Sequence, residues 1–354
     1  MKNVLFISGT QFGYSSDYYY YTKYLSQEFK VSIITRNKGL PKINSGAVVN
    51  IEFMMPANKI ARHLKFIWDI VKYLIQNNHY DIIFVNNFFL CYLLPMVMPR
   101  RNFVLDIRSG GVSQTKYKRI LKNLRLIRNA FFFPKIIVLS DSLAKKLKLS
   151  SSKYKVIPLG ADQISTTIKN FNVFKLLYIG TFQGRRIYET IEGFYKFINR
   201  INEEHEYYII GFGSDADNRN INDAIRKYKL EARVKVLGRL SHQKAKEYFD
   251  KCNIGVSYVP VTDYYNVQPP TKTFEYLCSG LPVLATNTFE NQKVINNENG
   301  VLIDDTPNSF HEGLLYLWKK KDKLNSEKIQ ITSLSYTWEN ITNKTLAPYI
   351  RNHT

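Results

Sequence analysis

Short apolar segments recur along the chain, and they constrain its fold more than any other feature. The first half contains VLFISG, VSIITR, DIIFVNN, FVLDIRSG, KIIVLS and KVIPLG, and the second half contains KLLYIG, YYIIGFG, RVKVLG, NIGVSYVP, LPVLATN and GVLID. Stretches with helical spacing separate them. Continuous apolar strands that alternate with helices are typical of parallel sheets covered on both faces. The sequence therefore predicts an α/β protein with two doubly wound, Rossmann-like domains.

The chain has 354 residues, which is about the length of two ordinary domains. The polar segment QISTTIKNFNVF, at about residues 163–174, lacks clear periodicity and is predicted to be the interdomain linker. We therefore assign residues 1–163 to a first domain, residues 164–335 to a second, and residues 336–354 to a closing helix. Ligands of such sheets bind beyond the carboxyl ends of the strands. We expect the domains to face each other across a cleft that holds the site.

Basic residues outnumber acidic ones: 50 Lys and Arg against 29 Asp and Glu give a formal net charge of +21. Such an excess attracts anionic partners, including nucleic acid, acidic phospholipid and phosphorylated substrates. Cys91, Cys252 and Cys278 lack metal-ligand spacing and are expected to be free, as in a reducing cytoplasm. The first apolar run is short and ends in Ser-Gly, so we interpret it as a strand. We expect no targeting peptide and no transmembrane helix.

A single carboxylate, Glu275, stands in the apolar helical stretch of PPTKTFEYLCSGLPVLAT, residues 269–286. The proline pair prevents a helix from running through, and Thr271 is expected to cap the helix that follows. Free N–H groups at the start of that helix would bind a phosphate, and Glu275, about one turn further, would accept hydrogen bonds from the vicinal hydroxyls of a ribose. A phosphate and a diol together describe a nucleotide. The alternative is an exposed glutamate stabilised by the helix dipole.

The stretch FEYLCSGLPVLAT resembles the second half of the nucleotide-sugar motif of retaining glycosyltransferase family 4, which has the GT-B fold. Glu275, Gly280, Pro282 and Val283 match that motif. Further segments resemble the family in the same order: VLSDSLAKKLK with KVIPLGAD, LLYIGTF, YYIIGFGSD, VKVLGRLSHQKAKEYFDKCNIGVSYVP and SYTWENITNKTLAPYI. The resemblance implies an acceptor-binding domain at residues 1–163 and a donor-binding domain at residues 164–335. It also implies that the closing helix, with Trp338, crosses back to the N-terminal domain.

The resemblance further implies a basic pair for the donor diphosphate near the first strand of the donor domain. Thr181 occupies the usual first basic position, so Arg186, then Arg185, and Lys272 from the motif helix are the candidates. The alternative for both arginines is a solvated surface. The catalytic candidates are Arg186, Lys272 and Arg108, and the implied donor-binding residues are Glu275, Arg185, Thr271, Gly180, Gly213 and Arg239.

Val267 stands where the family has its first motif glutamate, eight residues before Glu275. In the family that acid is thought to contact the transferred sugar, and Asp263 and Asn266 are the nearby candidates to replace it. In the first domain, Arg108 would contact the donor phosphate or sugar, and a structural pairing with Asp106 is the alternative. We see no acidic metal cluster, so we expect no cofactor beyond the nucleotide-sugar co-substrate and no obligatory metal ion.

The segment KYKRILKNLRLIRNAFFFPK, residues 116–135, contains seven basic residues and no acid, with Tyr117, Ile120, Leu121, Leu124 and Ile127 at helical spacing. It predicts an amphipathic basic helix, and NKIARHLKFIWDIVKYLIQ predicts a second with Lys59, Arg62, Lys65 and Trp68. Both favour peripheral attachment to anionic lipid at the inner face of the cell membrane. The alternative is a solvated helix face over the core. We assign the acceptor and membrane face to Lys116, Arg119, Lys122 and Arg125.

The resemblance, together with the basic face, thus implies a retaining glycosyltransferase that moves a sugar from a nucleotide donor to a lipid-linked, polysaccharide or glycolipid precursor of a cell-surface glycan. Three other interpretations stay open. A non-catalytic nucleotide-sugar-binding GT-B protein would agree with Val267. A GT-B epimerase or phosphorylase is another interpretation; the epimerase would need acids and histidines in the cleft to move a proton, but the six histidines show no recognisable pair. A nucleic-acid-binding protein would explain the charge, although no known nucleic-acid-binding module accompanies it.

Overall fold

The structure is a computed structural model that describes residues 1–56, 58–113, 115–201 and 203–354. The chain folds into two compact units. Unit 1 comprises residues 1–160 and 338–354, and unit 2 comprises residues 161–337. These divisions lie two or three residues from the boundaries expected from the sequence.

The described residues of unit 1 begin with a series of seven strands and five helices. In chain order these are β1 (Asn3–Ile7), α1 (Ser16–Leu25), β2 (Lys30–Arg36), β3 (Val49–Phe53), α2 (Lys59–Gln76), β4 (Ile82–Asn86), α3 (Leu93–Val97), β5 (Phe103–Ile107), α4 (Lys116–Phe132), β6 (Lys135–Val138), α5 (Asp141–Lys146) and β7 (Tyr154–Val156). The strands form one parallel sheet in the order β3-β2-β1-β4-β5-β6-β7. All five residues of β5 are buried, as expected of a strand covered on both faces.

Unit 2 repeats this architecture with six strands. Its elements are β8 (Lys175–Thr181), α6 (Ile187–Ile198), β9 (Glu206–Phe212), α7 (Asp215–Lys227), β10 (Val234–Val236), α8 (His242–Lys251), β11 (Ile254–Ser257), α9 (Thr271–Cys278), β12 (Val283–Thr286), α10 (Phe289–Gln292), β13 (Gly300–Ile303), α11 (Pro307–Lys319) and α12 (Ser326–Ser333), with 3₁₀ turns at Lys321–Lys323 and Leu334–Tyr336. The parallel order is β10-β9-β8-β11-β12-β13.

The last seventeen residues return to unit 1. They form α13 (Trp338–Ile341), a π-helical turn (Thr342–Leu346) and α14 (Ala347–His353). Trp338 is buried and stacks on Tyr20 with ring centroids 5.4 Å apart. A Cβ atom on Gly160 would lie 2.3 Å from the indole ring, so the chain approaches Trp338 as closely as only a glycine allows. The predicted fold class, including the returning C-terminal helix, is confirmed.

The segment predicted as a linker is an ordered part of unit 2, so that prediction is wrong. The Ser279 hydroxyl accepts hydrogen bonds from the backbone N–H groups of Ile164 and Ser165, both at 3.2 Å. Lys169 is buried, and its ammonium donates to the Ser165 hydroxyl and to the carbonyl of Phe249. A polar sequence without periodicity can pack in this way because its backbone and side-chain polar groups find partners.

Within the described part of the chain, no helix has the length and apolar character needed to cross a membrane. The three cysteines are buried and free. In each sheet the strand order reverses once, between β1 and β4 in unit 1 and between β8 and β11 in unit 2. Ligands of doubly wound sheets bind at such points, beyond the carboxyl ends of the strands.

Candidate functional site in unit 2

The strands of unit 2 separate at the reversal point, and Tyr276 of α9 fills the opening. β8 pairs with β11 through Leu176 and Leu177. Further along β8, the backbone N–H of Ile179 donates instead to the Tyr276 hydroxyl at 2.9 Å. A Cβ atom on Gly255 would lie 2.4 Å from the Tyr276 ring, so a glycine is required there. This wedge fixes α9 beside the carboxyl end of β8.

Lys272, in the first turn of α9, reaches the end of β8. Its ammonium lies 4.0 Å from the centroid of the Tyr178 ring, a cation–π distance. Gly180 has φ +149°, and a Cβ atom on it would lie 2.8 Å from the Lys272 Nζ. The Tyr178 hydroxyl donates to the Thr181 carbonyl at 2.7 Å, which holds the ring under the lysine. The glycine therefore leaves the space that the ammonium occupies.

Arg185 supplies a second cation at the same place. Its guanidinium stacks on the Tyr265 ring at 3.9 Å from the centroid, and its Nε is buried without a hydrogen-bond partner. In the described residues no carboxylate pairs with either Arg185 or Lys272. Burial, and next the positive charge of Arg185, hold the pKa of Lys272 well below its usual value, while Glu275 opposes this shift. Two cations held this close together suit an anion, because an anion would relieve the cost of charging the lysine.

Arg186 has different neighbours, although it is adjacent in sequence. It adopts a left-handed backbone with φ +51° at the start of α6. Its guanidinium pairs with the Asp305 carboxylate and, at 3.4 Å, with Glu189. The structure thus brings Arg185 and Lys272 together and ties Arg186 to acidic partners, whereas sequence reasoning preferred Arg186.

Glu275 lies one turn beyond Lys272 on α9 and is half-buried. Burial, and next the charge of Asp162, raise the pKa of its carboxyl to about 7, against the opposing effect of Lys272. Across the described ranges, no side chain or backbone group is hydrogen-bonded to this carboxylate. Such a group can accept hydrogen bonds from a ligand's hydroxyls.

The start of α9 differs in one detail from the expectation. Pro270 precedes the helix in the N-cap position, no side chain of the described residues caps it, and Thr271 is its exposed first residue. The prediction that Thr271 caps the helix is therefore wrong, because Thr271 is the first helical residue and Pro270, which has no side-chain acceptor, occupies the N-cap position. The uncapped N–H groups face the same end of the sheet as Lys272.

The remaining donor-site candidates lie along the carboxyl edge of the same sheet. Gly211 has φ +156°, and a Cβ atom on it would lie 1.8 Å from the Gly180 carbonyl oxygen. Gly213 follows β9 and packs beside Phe182 and Asp217. Arg239 is exposed after β10, with its guanidinium 5.1 Å from the centroid of Phe212. Arg239 therefore lies near the outer strands, and β10 is two strands from β8.

The loop of residues 258–270 carries Val267 and the residues considered as substitutes for an acid. The Asn266 side-chain oxygen accepts a hydrogen bond from the Phe289 N–H at 2.8 Å, so this oxygen already has a structural hydrogen-bond partner. Asp263 is exposed. Sequence reasoning missed Tyr265, the platform for Arg185. Its only signal was the aromatic pair in DYYNVQPP, close to the motif helix.

Arg108 in unit 1 is buried, with 8% of its side chain exposed. It donates to Asp17 at 2.9 Å and to the carbonyls of Ile157 and Pro158 at 2.8 and 3.2 Å. Asp106 is further away, at 3.9 Å, and burial raises the pKa of this carboxyl to about 7 against the effect of Arg108. The guanidinium thus holds the loop after β7, and the structure favours a structural role for Arg108.

The basic helix predicted in unit 1 is α4, and most of its apolar side chains are exposed. Tyr117, Ile120, Leu124, Ile127 and Phe131 lie on its surface, with Leu124 55% exposed. Its predicted basic residues either are exposed or contact the preceding loop: Arg119 donates to the Ser113 carbonyl, Lys122 donates to the Val112 carbonyl, Arg125 lies over Phe89, and Lys116 is exposed.

The second predicted basic helix, α2, also leaves apolar side chains exposed. Ile60, Leu64, Trp68 and Ile75 are on the surface, and Trp68 is 69% exposed. Lys65 pairs with Asp69 at 2.6 Å, and the side chain of Lys59 lies outside the described part of the chain. Both helices therefore present exposed apolar rows next to basic residues.

Comparisons with known proteins bear on the class of protein and on its fold. Residues 173–320 match the family model described as "Glycosyl transferases group 1". No curated protein sequence matches the chain significantly. The domain match and the fold support a glycosyltransferase with the GT-B fold, so the predicted enzyme class is confirmed at that level.

Solved structures with the same fold cover nearly the whole chain. A sucrose-phosphate synthase from Thermosynechococcus elongatus is 17% identical over 99% of this chain and 99% of its own, with a TM-score of 0.75. The lipopolysaccharide outer core galactosyltransferase WaaB is 15% identical, with 99% of each chain covered and a TM-score of 0.72. HepE from Anabaena, solved with UDP-glucose, is 13% identical over 99% of this chain and 100% of its own, with a TM-score of 0.71.

Proposed function

We propose that the protein transfers a sugar, with retention of anomeric configuration, from a nucleoside-diphosphate donor bound in unit 2. The observation that carries this proposal is the grouping of Arg185, Lys272 and Glu275 at the carboxyl end of β8. Two cations that have no acidic partner among the described residues suit a diphosphate, and a half-buried carboxylate without a hydrogen-bond partner there suits a ribose diol. The group 1 domain match over residues 173–320 supports the same chemistry.

The cations would act on the leaving group. As the bond from the sugar to the diphosphate breaks, negative charge grows on the diphosphate oxygens, and Arg185 and Lys272 would stabilise that charge. Both are held on tyrosine rings before the ligand arrives, so little reorganisation is needed. A leaving-group oxygen would take the proton of the acceptor hydroxyl, which is a route to retention without a protein nucleophile. The resemblance to family 4 supports retention.

Neighbouring structures support the type of donor. HepE from Anabaena is described in complex with UDP and with UDP-glucose. We propose a nucleotide sugar as the donor of this protein too, with uridine nucleotides the first to test. Val267 replaces the acid of the family motif, so the sugar is proposed to be held by contacts that differ from the usual ones.

Calorimetry tests the donor site. UDP, GDP, ADP and their common sugars would be titrated into the wild-type protein and the Glu275→Ala variant. We expect one nucleotide to bind selectively and the variant to lose about tenfold or more in affinity, since a hydrogen bond to a charged group contributes about 1.5–3 kcal/mol. Equal affinity in the two proteins would remove the ribose assignment. The anomeric configuration of the product, read by NMR, tests retention, and binding without turnover would favour a non-catalytic protein.

We also propose that unit 1 rests on the anionic inner face of the cell membrane and takes a lipid-linked or glycolipid acceptor for a cell-surface glycan. The exposed apolar rows of α2 and α4, with basic residues beside them, support this proposal. Apolar side chains would enter the lipid interface while lysines and arginines contact acidic headgroups. The description of WaaB as an outer core lipopolysaccharide enzyme supports an acceptor of this class.

A further inference from the structure

A cavity of about 330 Å³ opens in unit 1 at the carboxyl ends of β4 and β5. The loops that follow these strands form one side, and α4 forms the other. Its polar lining comes from Asn87, Ser109, Lys122, Arg125, Arg128 and Asn129. The volume is within the usual range for small-molecule sites, about 300–1,000 Å³. The cavity lies where ligands of doubly wound sheets bind.

The charged residues in the described lining of this cavity are all basic. Its described lining contains no acidic residue. The Arg125 guanidinium lies 5.7 Å from the centroid of Phe89, and that of Arg128 lies 4.5 Å from the centroid of Tyr92. Neither arginine pairs with a carboxylate in the described chain. Stacking on a ring orients the plane of a guanidinium and leaves its N–H edge available for a phosphate.

Asn129 adds a second, independent observation. Asn129 is buried, with 2% of the residue exposed. The amide nitrogen donates to the Asn87 side-chain oxygen at 2.7 Å and to the Phe88 carbonyl at 3.4 Å. The amide oxygen is buried and has no hydrogen-bond partner in the described chain. A buried acceptor of this kind is costly unless a ligand supplies a donor, such as a hydroxyl.

We propose that this cavity binds a sugar phosphate, with the phosphate on Arg125 and Arg128 and a sugar hydroxyl on the Asn129 oxygen. The inference rests on the proposed function, because it assigns the acceptor: a sugar joined to a phosphate or diphosphate. The shared chemistry is the sugar-linked phosphate, whether it is carried by a lipid or free in solution. The phosphate would anchor the acceptor, and the sugar would present its hydroxyl for transfer.

The test compares ligands on the full-length protein by calorimetry. Glucose 1-phosphate, inorganic phosphate and glucose would be titrated into wild type, Arg128→Ala and the matched control Arg100→Ala, an exposed arginine before β5. We expect glucose 1-phosphate to bind more tightly than either fragment. We expect Arg128→Ala to lose about tenfold or more in affinity for glucose 1-phosphate, and Arg100→Ala to keep the wild-type affinity. Equal losses in both variants, or no difference from wild type, would overturn the proposal, since a general electrostatic attraction would then suffice.

A second arm separates the two sources of the phosphate. Transfer would be measured to soluble glucose 1-phosphate and to a lipid-linked glucosyl diphosphate in phosphatidylcholine vesicles, each with wild type and Arg128→Ala. If Arg128→Ala loses transfer only to the lipid-linked acceptor, the cavity is assigned to a membrane substrate. If the variant loses transfer to soluble glucose 1-phosphate, the cavity is assigned to a free sugar phosphate. Equal transfer by the two proteins to both acceptors overturns the cavity assignment. Arg128→Ala should bind the nucleotide as wild type does. A failure of the cavity assignment in unit 1 can therefore be distinguished from a failure of the donor-site assignment in unit 2.

Discussion

Two adjacent arginines follow β8, and their side chains contact different partners. Arg186 has φ +51° and reaches Asp305, whose position 119 residues later brings it to the same edge of the sheet. Arg185 stacks on Tyr265 and faces Lys272. An arginine already paired with a carboxylate has less to gain from a phosphate, because the carboxylate must first be displaced. The unpaired neighbour is therefore the better diphosphate ligand.

Arg185→Ala should weaken binding of the nucleoside diphosphate by about tenfold or more, because a charge-assisted contact is lost. Arg186→Ala should reduce the affinity less, since its ion pairs with Asp305 and Glu189 contribute mainly to local structure. Calorimetry on the two variants measures both affinities. A larger loss in Arg186→Ala would reverse the assignment and restore the preference derived from the sequence.

Glu275→Gln should stabilise the ligand-free protein at neutral and higher pH. The pKa of the Glu275 carboxyl is raised from 4.5 to about 7 in the folded state. The folded state therefore binds more protons than the unfolded state between these values, and stability falls as pH rises through this window. Glutamine is neutral at every pH, so the variant does not lose stability through ionisation at this position as the pH rises. After allowance for solvent screening at a half-buried site, we expect a gain of about 1–2 kcal/mol at about pH 8 and little at about pH 4.5.

Thermal or urea unfolding of both proteins across this pH range measures the effect. Glu231→Gln, at an exposed position in unit 2, is the control and should show no comparable trend. The same Glu275→Gln variant should bind the nucleotide more weakly, because an amide accepts hydrogen bonds from the diol less strongly than a carboxylate. If Glu275→Gln and wild type were equally stable at every pH, this result would contradict the raised pKa of Glu275.

At the scale of elements, the apolar row of α4 predicts how unit 1 meets lipid. Leu124→Glu should reduce binding to phosphatidylcholine vesicles that contain phosphatidylglycerol, because it removes an apolar contact with the lipid interface and adds charge repulsion. Ile331→Glu is a matched control, since Ile331 is 59% exposed on α12 of unit 2. Sedimentation with vesicles measures both. Equal vesicle binding by Leu124→Glu and wild type would contradict the membrane assignment and indicate that α4 is an ordinary solvated surface helix.

At the scale of the whole molecule, the sequence predicts the two sheets because strands buried on both faces keep continuous apolar runs, as in β5. It also places Glu275 and Lys272 on one turn of one helix. It does not predict which arginine faces them, because that choice depends on the backbone of Arg186 and on distant Asp305. Periodicity finds the apolar row of α4 but does not reveal whether a neighbour covers it, because coverage depends on long-range packing.

The return of the chain to unit 1 should determine the stability of that unit. Trp338 is 3% exposed and packs against Tyr20, Tyr21 and Gly160. Trp338→Ala would leave a cavity that Gly160 has no side chain to fill, so we expect a loss of about 3–5 kcal/mol.

Urea unfolding, followed by circular dichroism, measures this loss, with Trp68→Ala as the control because Trp68 is 69% exposed in the same unit. A large loss in Trp338→Ala and a small one in Trp68→Ala would show that seventeen residues at the end of the chain complete the core of the unit that begins it. Comparable small losses would instead mean that the core of unit 1 is stable without them.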